Sequence, residues 1–401
     1  MIPVEEARRL ILSTVSPMPG VRTPLLQALG RVLAEPVDSP HAHPPFDNSA
    51  MDGYAVRAED LALASPHAPV RLSVRSEVAA GWTEPPELAP VTACRIMTGA
   101  IMPSGADAVV KVEETRESDG HVTFARGARV GQNVRLRGED LTAGARVLEP
   151  GTLLNAARIG LLAGVGRSHV EVHPAVRVAI VATGDELVEP GSELAPGQIY
   201  GSNAYALAGM VLEAGAVPVL MGIARDDRQA TLELVERALS CDVVITSGGV
   251  SVGAFDHVGE TFSRLGSVHF DRVAQQPGKP FTYATLAGKP AFGLPGNPVS
   301  AMVAFEYYVR PALLRMMAHP RPDRPTVRSV LTERCSKSPG RTAFLRAVVR
   351  READGYRATL TGPQGSGRMT SMAAANALLV IPAESAAAEA GEAFETLLLG
   401  D

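Results

Sequence analysis

Apolar residues recur at helical spacing near the start of the chain. Val4, Ala7, Ile11 and Val15 share one face of a helix predicted over 4–15. A second helix is predicted from Thr23, with Pro24 at its first position and Leu25, Leu29, Val32 and Leu33 at helical spacing. From about 37 to 150 the texture changes. Prolines and glycines separate short β-like runs such as PVRLSV, ADAVVKVEE and ARVLEPG, which predicts a small β-rich domain. Helix-compatible spacing returns in LLNAARIGLLAGVG. This segment and the N-terminal helices are expected to pack together, with the β region inserted between them.

Over 175–318 strand-like and helical patterns alternate. RVAIVAT, AVPVLMGIA, DVVITSG, FTYATLA and PAFGLPG read as strands. SNAYALAGMVLEAG reads as a helix capped by Ser202 or Asn203 and stopped by Gly215. RQATLELVERALS and HVGETFSRLG read as two more helices, and a long one runs from Pro298 to about Met317. Such alternation predicts a mostly parallel sheet with helices on both faces. A proline- and arginine-rich linker, HPRPDRPTVR, leads into a β-like region with turns at SPGR and EADGY, a small barrel or sandwich. The fold class is therefore multidomain, α/β plus β.

Composition narrows the function. The chain has 401 residues, 46% hydrophobic and 20% charged, with a formal net charge of −5. That balance argues against a general nucleic-acid or acidic-membrane binder. Cys94, Cys241 and Cys335 stand far apart without a CxxC pair, which disfavours a zinc site or a disulfide framework. No secretory signal and no apolar run long enough to span a membrane is visible, so the cytoplasm is the expected compartment.

The polar residues then fall where an open α/β sheet binds ligands, beyond the carboxyl ends of its strands. Gly184-Asp185-Glu186 follow the first strand, and Asp226 and Asp227 follow AVPVLMGIA. Gly248, Gly249, Ser251, Gly253 and Asp256 follow DVVITS, and Pro295-Gly296-Asn297-Pro298 open the long helix. Glycines let backbone N–H groups approach an anion, and a helix N-terminus adds partial positive charge. Carboxylates beside a phosphate need a cation between them. Glu186, Asp226 and Asp256 offer the hard oxygens that Mg²⁺ accepts alongside phosphate. For any one acid alone, a helix cap or turn is the simpler account. GKP lacks the Ser or Thr of a P-loop, and GGVSVG misses the dinucleotide spacing.

Three other stretches hold polar clusters. PPFDNSAMDGYAV contains turn formers such as Asp47 and Asn48, and NVRLRGEDL alone reads as a charged edge strand. GPQGSGRMTSM, with Arg368, suits either a hairpin turn or an oxyanion.

Together, PFDNSAMDGYA, RIMTGA, RGEDL, ATGDEL, TSGGVSVGAFD and GLPGNPVSA resemble the MoeA-type molybdopterin molybdenumtransferases, the family that includes the C-terminal domain of gephyrin. The resemblance covers nearly the whole chain. It implies an elongated helical part (1–44 and 143–174), an inserted β-rich domain (45–142), an α/β molybdopterin-binding domain (175–325) and a C-terminal β-barrel (326–401). It implies a homodimer with the active cleft shared between subunits, and contacts with the adenylyltransferase that delivers substrate and with acceptor molybdoenzymes. The implied reaction inserts molybdate into adenylylated molybdopterin and releases AMP, with Mg²⁺ as cofactor.

By the same resemblance, Glu186, Asp226 and Asp256 serve the metal and pyrophosphate. Asp52, Thr98 and Asp140 contribute from the inserted domain, and Pro295 and Pro298 shape the ligand loop. Lys279, Arg346, Ser366 and Arg368 are implied oxyanion donors. Many relatives read Lys-Pro-Gly-Lys where this chain has Gln276-Pro277-Gly278-Lys279, so one cation is missing, for which Arg272 is a candidate substitute. Two alternatives stand beside this reading. One is a scaffold, since gephyrin anchors a receptor peptide. The other is an adenylyltransferase or a CinA-type pyrophosphatase, which share the α/β module but lack the FDNSAMDGYA and RGEDL segments.

Overall fold

The computed structural model describes residues 1–249 and 257–400. The chain forms two compact units, one of Met1–Glu35, Pro150–Asn155 and Val170–Asp401, the other of Pro36–Glu149 and Ala156–His169.

In the first unit the helix Val4–Thr14 buries Val4, Ala7 and Ile11, the face its spacing predicts. The second predicted helix does not form. Val21–Pro24 is a strand, Leu25–Ala28 makes a single 3₁₀ turn, and Gly30 reverses the chain at φ +74°. Leu29 is exposed, whereas Val32 and Leu33 are buried in extended backbone. There the Leu33 N–H donates to the Thr152 carbonyl and the His173 N–H to the Val32 carbonyl. Tertiary pairing of these residues outweighs a helical spacing only a few residues long.

The central sheet has six strands in the order Val217–Ala224, Arg177–Thr183, Val243–Ser247, Lys289–Leu294, Pro280–Leu286 and Gly266–Arg272. The first four run parallel, and Pro280–Leu286 is antiparallel to both of its neighbours. Continuous apolar runs suit strands covered on both faces. Val178 and Ile180 pack with Leu207 and Val211 of the helix Ser202–Glu213 and with Val299 and Val303 beyond it. Ala179 and Val181 point the other way, against Val235 of Arg228–Ala238 and Phe262 of His257–Leu265. The edge strand Gly266–Arg272 follows the helix without a connecting loop and was not foreseen.

The predicted long helix is interrupted. Pro298–Ala304 is α-helical, Phe305–Val309 forms a π turn, and Arg310–Met316 resumes the α-helix. Pro311 has no N–H to give the Tyr307 carbonyl, and Arg8 Nε donates to that oxygen instead at 3.3 Å.

Beyond the linker, Thr342–Glu352, Gly355–Leu360, Thr326–Leu331, Ala393–Leu398 and Ala377–Ile381 close into a five-stranded barrel, the last strand pairing back with the first. Gln275–Gln276 adds in parallel to the edge of Thr342–Glu352.

The second unit carries a six-stranded sheet in the order Ala108–Lys111, Gly53–Val56, Thr92–Ile96, Val70–Val78, His121–Phe124 and Thr115–Ser118. Tyr54, Leu72 and Phe124 fill one face, and Ala55, Ile96 and Val109 fill the other. The helix Ala156–Gly164 belongs to this unit, while Pro150–Asn155 returns to residues 30–33 of the first. Among the described residues, no helix is long and apolar enough to cross a membrane.

Candidate functional site

A cleft of about 960 Å³ opens at the carboxyl ends of the parallel strands and reaches the barrel. Its floor is the turn after Val243–Ser247. Gly248 and Gly249 have φ of +99° and +66°, a conformation L side chains rarely adopt. A Cβ on Gly248 would lie 2.7 Å from both the carbonyl and the hydroxyl oxygen of Thr183. Glycine therefore lets two strand ends meet and leaves bare backbone toward the ligand space.

Pro295, Gly296, Asn297 and Pro298 also line the cleft. Asn203 holds this loop against the neighbouring strand. Its Nδ2 donates to Ser247 Oγ at 2.9 Å and to the Gly296 carbonyl at 2.8 Å. The expected cap by Ser202 or Asn203 is absent. Gly201 is the N-cap residue, no side chain caps the helix, and Asn203 has been diverted to the loop. The helix starting at Pro298 likewise has no side-chain cap. Both helix starts border the cleft and bring partial positive charge there, and the start of Ser202–Glu213 also leaves N–H groups without a side-chain cap.

Glu186 and Asp226 line the same cleft, both exposed. The Asp226 N–H donates to Asp185 Oδ1 at 3.2 Å. Asp227 is a helix cap: its Oδ1 accepts from the Ala230 N–H at 2.9 Å. Ser251, Gly253 and Asp256 lie outside the described residues. Among the described residues no three His, Cys, Asp or Glu side chains come together to hold a metal ion. Two carboxylates are nevertheless a fitting donor set for Mg²⁺ when substrate phosphates and water complete its shell.

The opposite wall comes from Gln276–Gly278 and from Gln364–Ser366 of the barrel region. Gln276 Oε1 accepts from the Ser338 N–H at 3.3 Å. Lys279 is half-buried next to this wall, and its ammonium has no partner among the described residues. Arg272 is not part of the lining and stands 3.7 Å from Asp271.

Arg346 takes a different place from the one expected of a direct oxyanion donor. It is completely buried. Its guanidinium donates to the carbonyls of Gln364 at 3.1 Å, Gly365 at 3.0 Å and Pro363 at 3.4 Å, and to Ser371 Oγ at 3.2 Å. Burial lowers its basicity, and the four acceptors offset the cost of burying it. Three successive carbonyls turned inward leave the following peptide N–H groups turned the other way, because a trans peptide sets C=O and N–H opposed. Those N–H groups belong to Gln364, Gly365 and Ser366, which line the cleft and have no acceptor for them among the described residues. Arg346 thus shapes from behind a loop whose N–H groups line the cleft. Arg368 is exposed beside Gly365, outside the lining. The Ser366 carbonyl accepts from the Val299 N–H at 3.1 Å and ties the loop to the helix start.

In the second unit, Asp52 Oδ1 accepts from the Thr98 N–H at 2.7 Å and from its hydroxyl at 2.9 Å. The backbone bond first, and the hydroxyl second, hold the Asp52 carboxyl below the usual carboxylate range. Asp140 is exposed with no side-chain hydrogen bond among the described residues. Glu139 serves a local turn, accepting from the Leu136 N–H, whereas Asp47 accepts from the Arg137 N–H and ties two segments distant in sequence. Asn203, Gln275 and Tyr308 were missed as contributors. Asn203 reads in sequence only as a helix cap, and the contacts of Asn203 and Tyr308 join residues distant in sequence.

Residues 2–166 match the family described as MoeA N-terminal region (domain I and II), 179–315 a probable molybdopterin binding domain, and 328–399 the MoeA C-terminal region (domain IV). Molybdopterin molybdenumtransferase 2 of Mycobacterium tuberculosis is 42% identical over 395 residues, covering 97% of each chain. The molybdopterin molybdenumtransferase of Bacillus subtilis is 37% identical over 404 residues, covering 99% of this chain and 94% of that one. The crystal structure of a molybdopterin biosynthesis MoeA protein from Pyrococcus horikoshii superposes with a TM-score of 0.84 at 35% identity, covering all of both chains.

Proposed function

The chain belongs to the MoeA family of molybdopterin molybdenumtransferases, and from that premise we propose how its cleft carries the reaction. Its place is molybdenum cofactor biosynthesis, as a transferase acting on molybdopterin and molybdate. A non-catalytic scaffold finds no support, since the relatives matched over nearly full length are named as transferases.

One observation carries the reading: a single cleft has one wall suited to phosphate and another suited to a free oxyanion. The Gly248–Gly249 turn and the two helix starts receive the pyrophosphate of adenylylated molybdopterin. Glu186 and Asp226, with Asp256 as the third acid, would hold Mg²⁺. When bound, it supplies positive charge that neutralises the phosphates and stabilises the departing AMP. The N–H groups of Gln364–Ser366 and the Ser366 hydroxyl receive molybdate, a dianion that needs several donors, and the Lys279 ammonium, from just outside the lining, adds positive charge. The two walls hold the dithiolene and the oxyanion close together, which turns an encounter of two anions into a reaction within one site. Asp52, Thr98 and Asp140 enter through the family resemblance, with homodimerisation, a cytoplasmic setting and exchange with the adenylyltransferase and acceptor enzymes.

The test follows AMP. Purified protein given adenylylated molybdopterin, molybdate and Mg²⁺ is expected to release AMP and yield molybdenum-loaded pterin. Glu186→Ala should lose that activity while keeping the wild-type Tm. Binding without AMP release, or full turnover in the variant, defeats the assignment.

A further inference from the structure

The Gln276–Gly278 wall is held from behind by two residues that do not touch the cleft. Gln275 is fully buried, and its Nε2 donates to the Gly278 carbonyl at 3.0 Å. Its Oε1 accepts from the Tyr308 hydroxyl at 2.6 Å. The orientation is determined by chemistry: a carbonyl oxygen only accepts, so Nε2 must face Gly278 and the phenol must donate. Tyr308 is itself fully buried, with its ring 4.8 Å from that of Phe281, inside the π turn Phe305–Val309.

Packing does not require this arrangement. A phenylalanine and a methionine would fill the same space without two polar groups that must be desolvated and paired. Gly278 fits the same account. It adopts φ +88°, and a Cβ there would lie 2.9 Å from Gln275 Nε2. The amide closes directly onto a glycine, which sets the path of the wall and the start of Lys279.

We propose that Tyr308 and Gln275 are positioning residues: they fix where the Gln276–Gly278 wall and Lys279 meet the oxyanion substrate, without contacting it. This rests on the functional reading above, in which that wall faces molybdate. Tyr308→Phe removes one oxygen and almost no volume. It leaves the buried Gln275 Oε1 without its donor, so the amide that holds the Gly278 carbonyl is no longer anchored at its other end.

The expected result for Tyr308→Phe is a KM for molybdate raised about tenfold with kcat within about twofold, because binding geometry changes and the reacting groups do not. Hydrogen–deuterium exchange should quicken at the Val273 amide, which donates to the Lys279 carbonyl at 3.1 Å, and at Gln276 in the strand beside Thr342–Glu352. The double variant Tyr308→Phe/Gln275→Met removes the orphaned amide oxygen and leaves only the half-buried Gly278 carbonyl without its donor, so its Tm should return toward the wild-type value. Its raised KM and fast exchange should persist. The proposal is overturned if KM returns together with Tm, or if Tyr308→Phe leaves KM and exchange unchanged. If the wild-type protein releases no AMP, the functional reading falls. The exchange measurement needs no substrate and still decides whether the pair holds the wall.

Discussion

Gly248 and Arg346 both serve the cleft at the scale of one residue, and only one of them is legible as such. Three glycines after an apolar strand announce close backbone approach, and Gly248 meets Thr183 as that predicts. Gly248→Ala should destabilise the protein by about 1–3 kcal/mol, since the strained φ and the overlap with backbone have no cheap relief. Gly209, inside the helix Ser202–Glu213 with open space around it, should do the opposite. There Gly209→Ala is expected to stabilise by roughly 0.5–1 kcal/mol. Urea denaturation of both variants checks the pair. Arg346 shows the limit of reading a residue type. An arginine beside a glycine-rich loop looks like an anion ligand, yet its partners are three carbonyls. Arg346→Lys keeps the charge and loses the planar fork that spans those carbonyls. We expect it to weaken molybdate binding about tenfold in calorimetry; an unchanged dissociation constant would mean that charge alone matters.

Among whole elements, the parallel strands were legible because a strand covered on both faces must be apolar throughout, and no helix of that length replaces it. The segment 23–33 was not, because four apolar residues at helical spacing also suit a strand, a turn and a bridge. Gly266–Arg272 alternates weakly and sits at an edge, where pairing with Pro280–Leu286 rather than its own pattern makes it a strand. The helix Arg228–Ala238 separates two neighbouring acids that sequence treats alike. Asp227 caps it, whereas Asp226 faces the cleft. Asp227→Ala should therefore lower stability by about 1 kcal/mol and leave AMP release intact. Asp226→Ala should keep the Tm and lose AMP release. Thermal melts beside a turnover assay distinguish the two, and equal effects from both would remove the distinction.

Across the first unit, the α/β sheet and the barrel are joined by more than the linker. One apolar cluster contains Ile180, Ile245 and Phe292 of the sheet together with Phe344, Leu378 and Leu397 of the barrel. Tyr307 meets Phe344 with ring centroids 4.8 Å apart, one residue from the Tyr308 that braces the cleft wall. Sequence patterning distinguishes the α/β region from the β region, but it cannot show that they share a core, because that depends on which faces meet. A shared core keeps the two cleft walls in register, since neither region can shift without opening apolar contacts to water. Phe344 is completely buried, and Phe344→Ala should cost about 3–5 kcal/mol. If the core is mechanically one, hydrogen exchange in this variant should quicken in Val243–Ser247 as well as in Thr342–Glu352. Loss of protection confined to the barrel strands would mean that the barrel folds as an independent body, and the cleft walls would then need another explanation for their alignment.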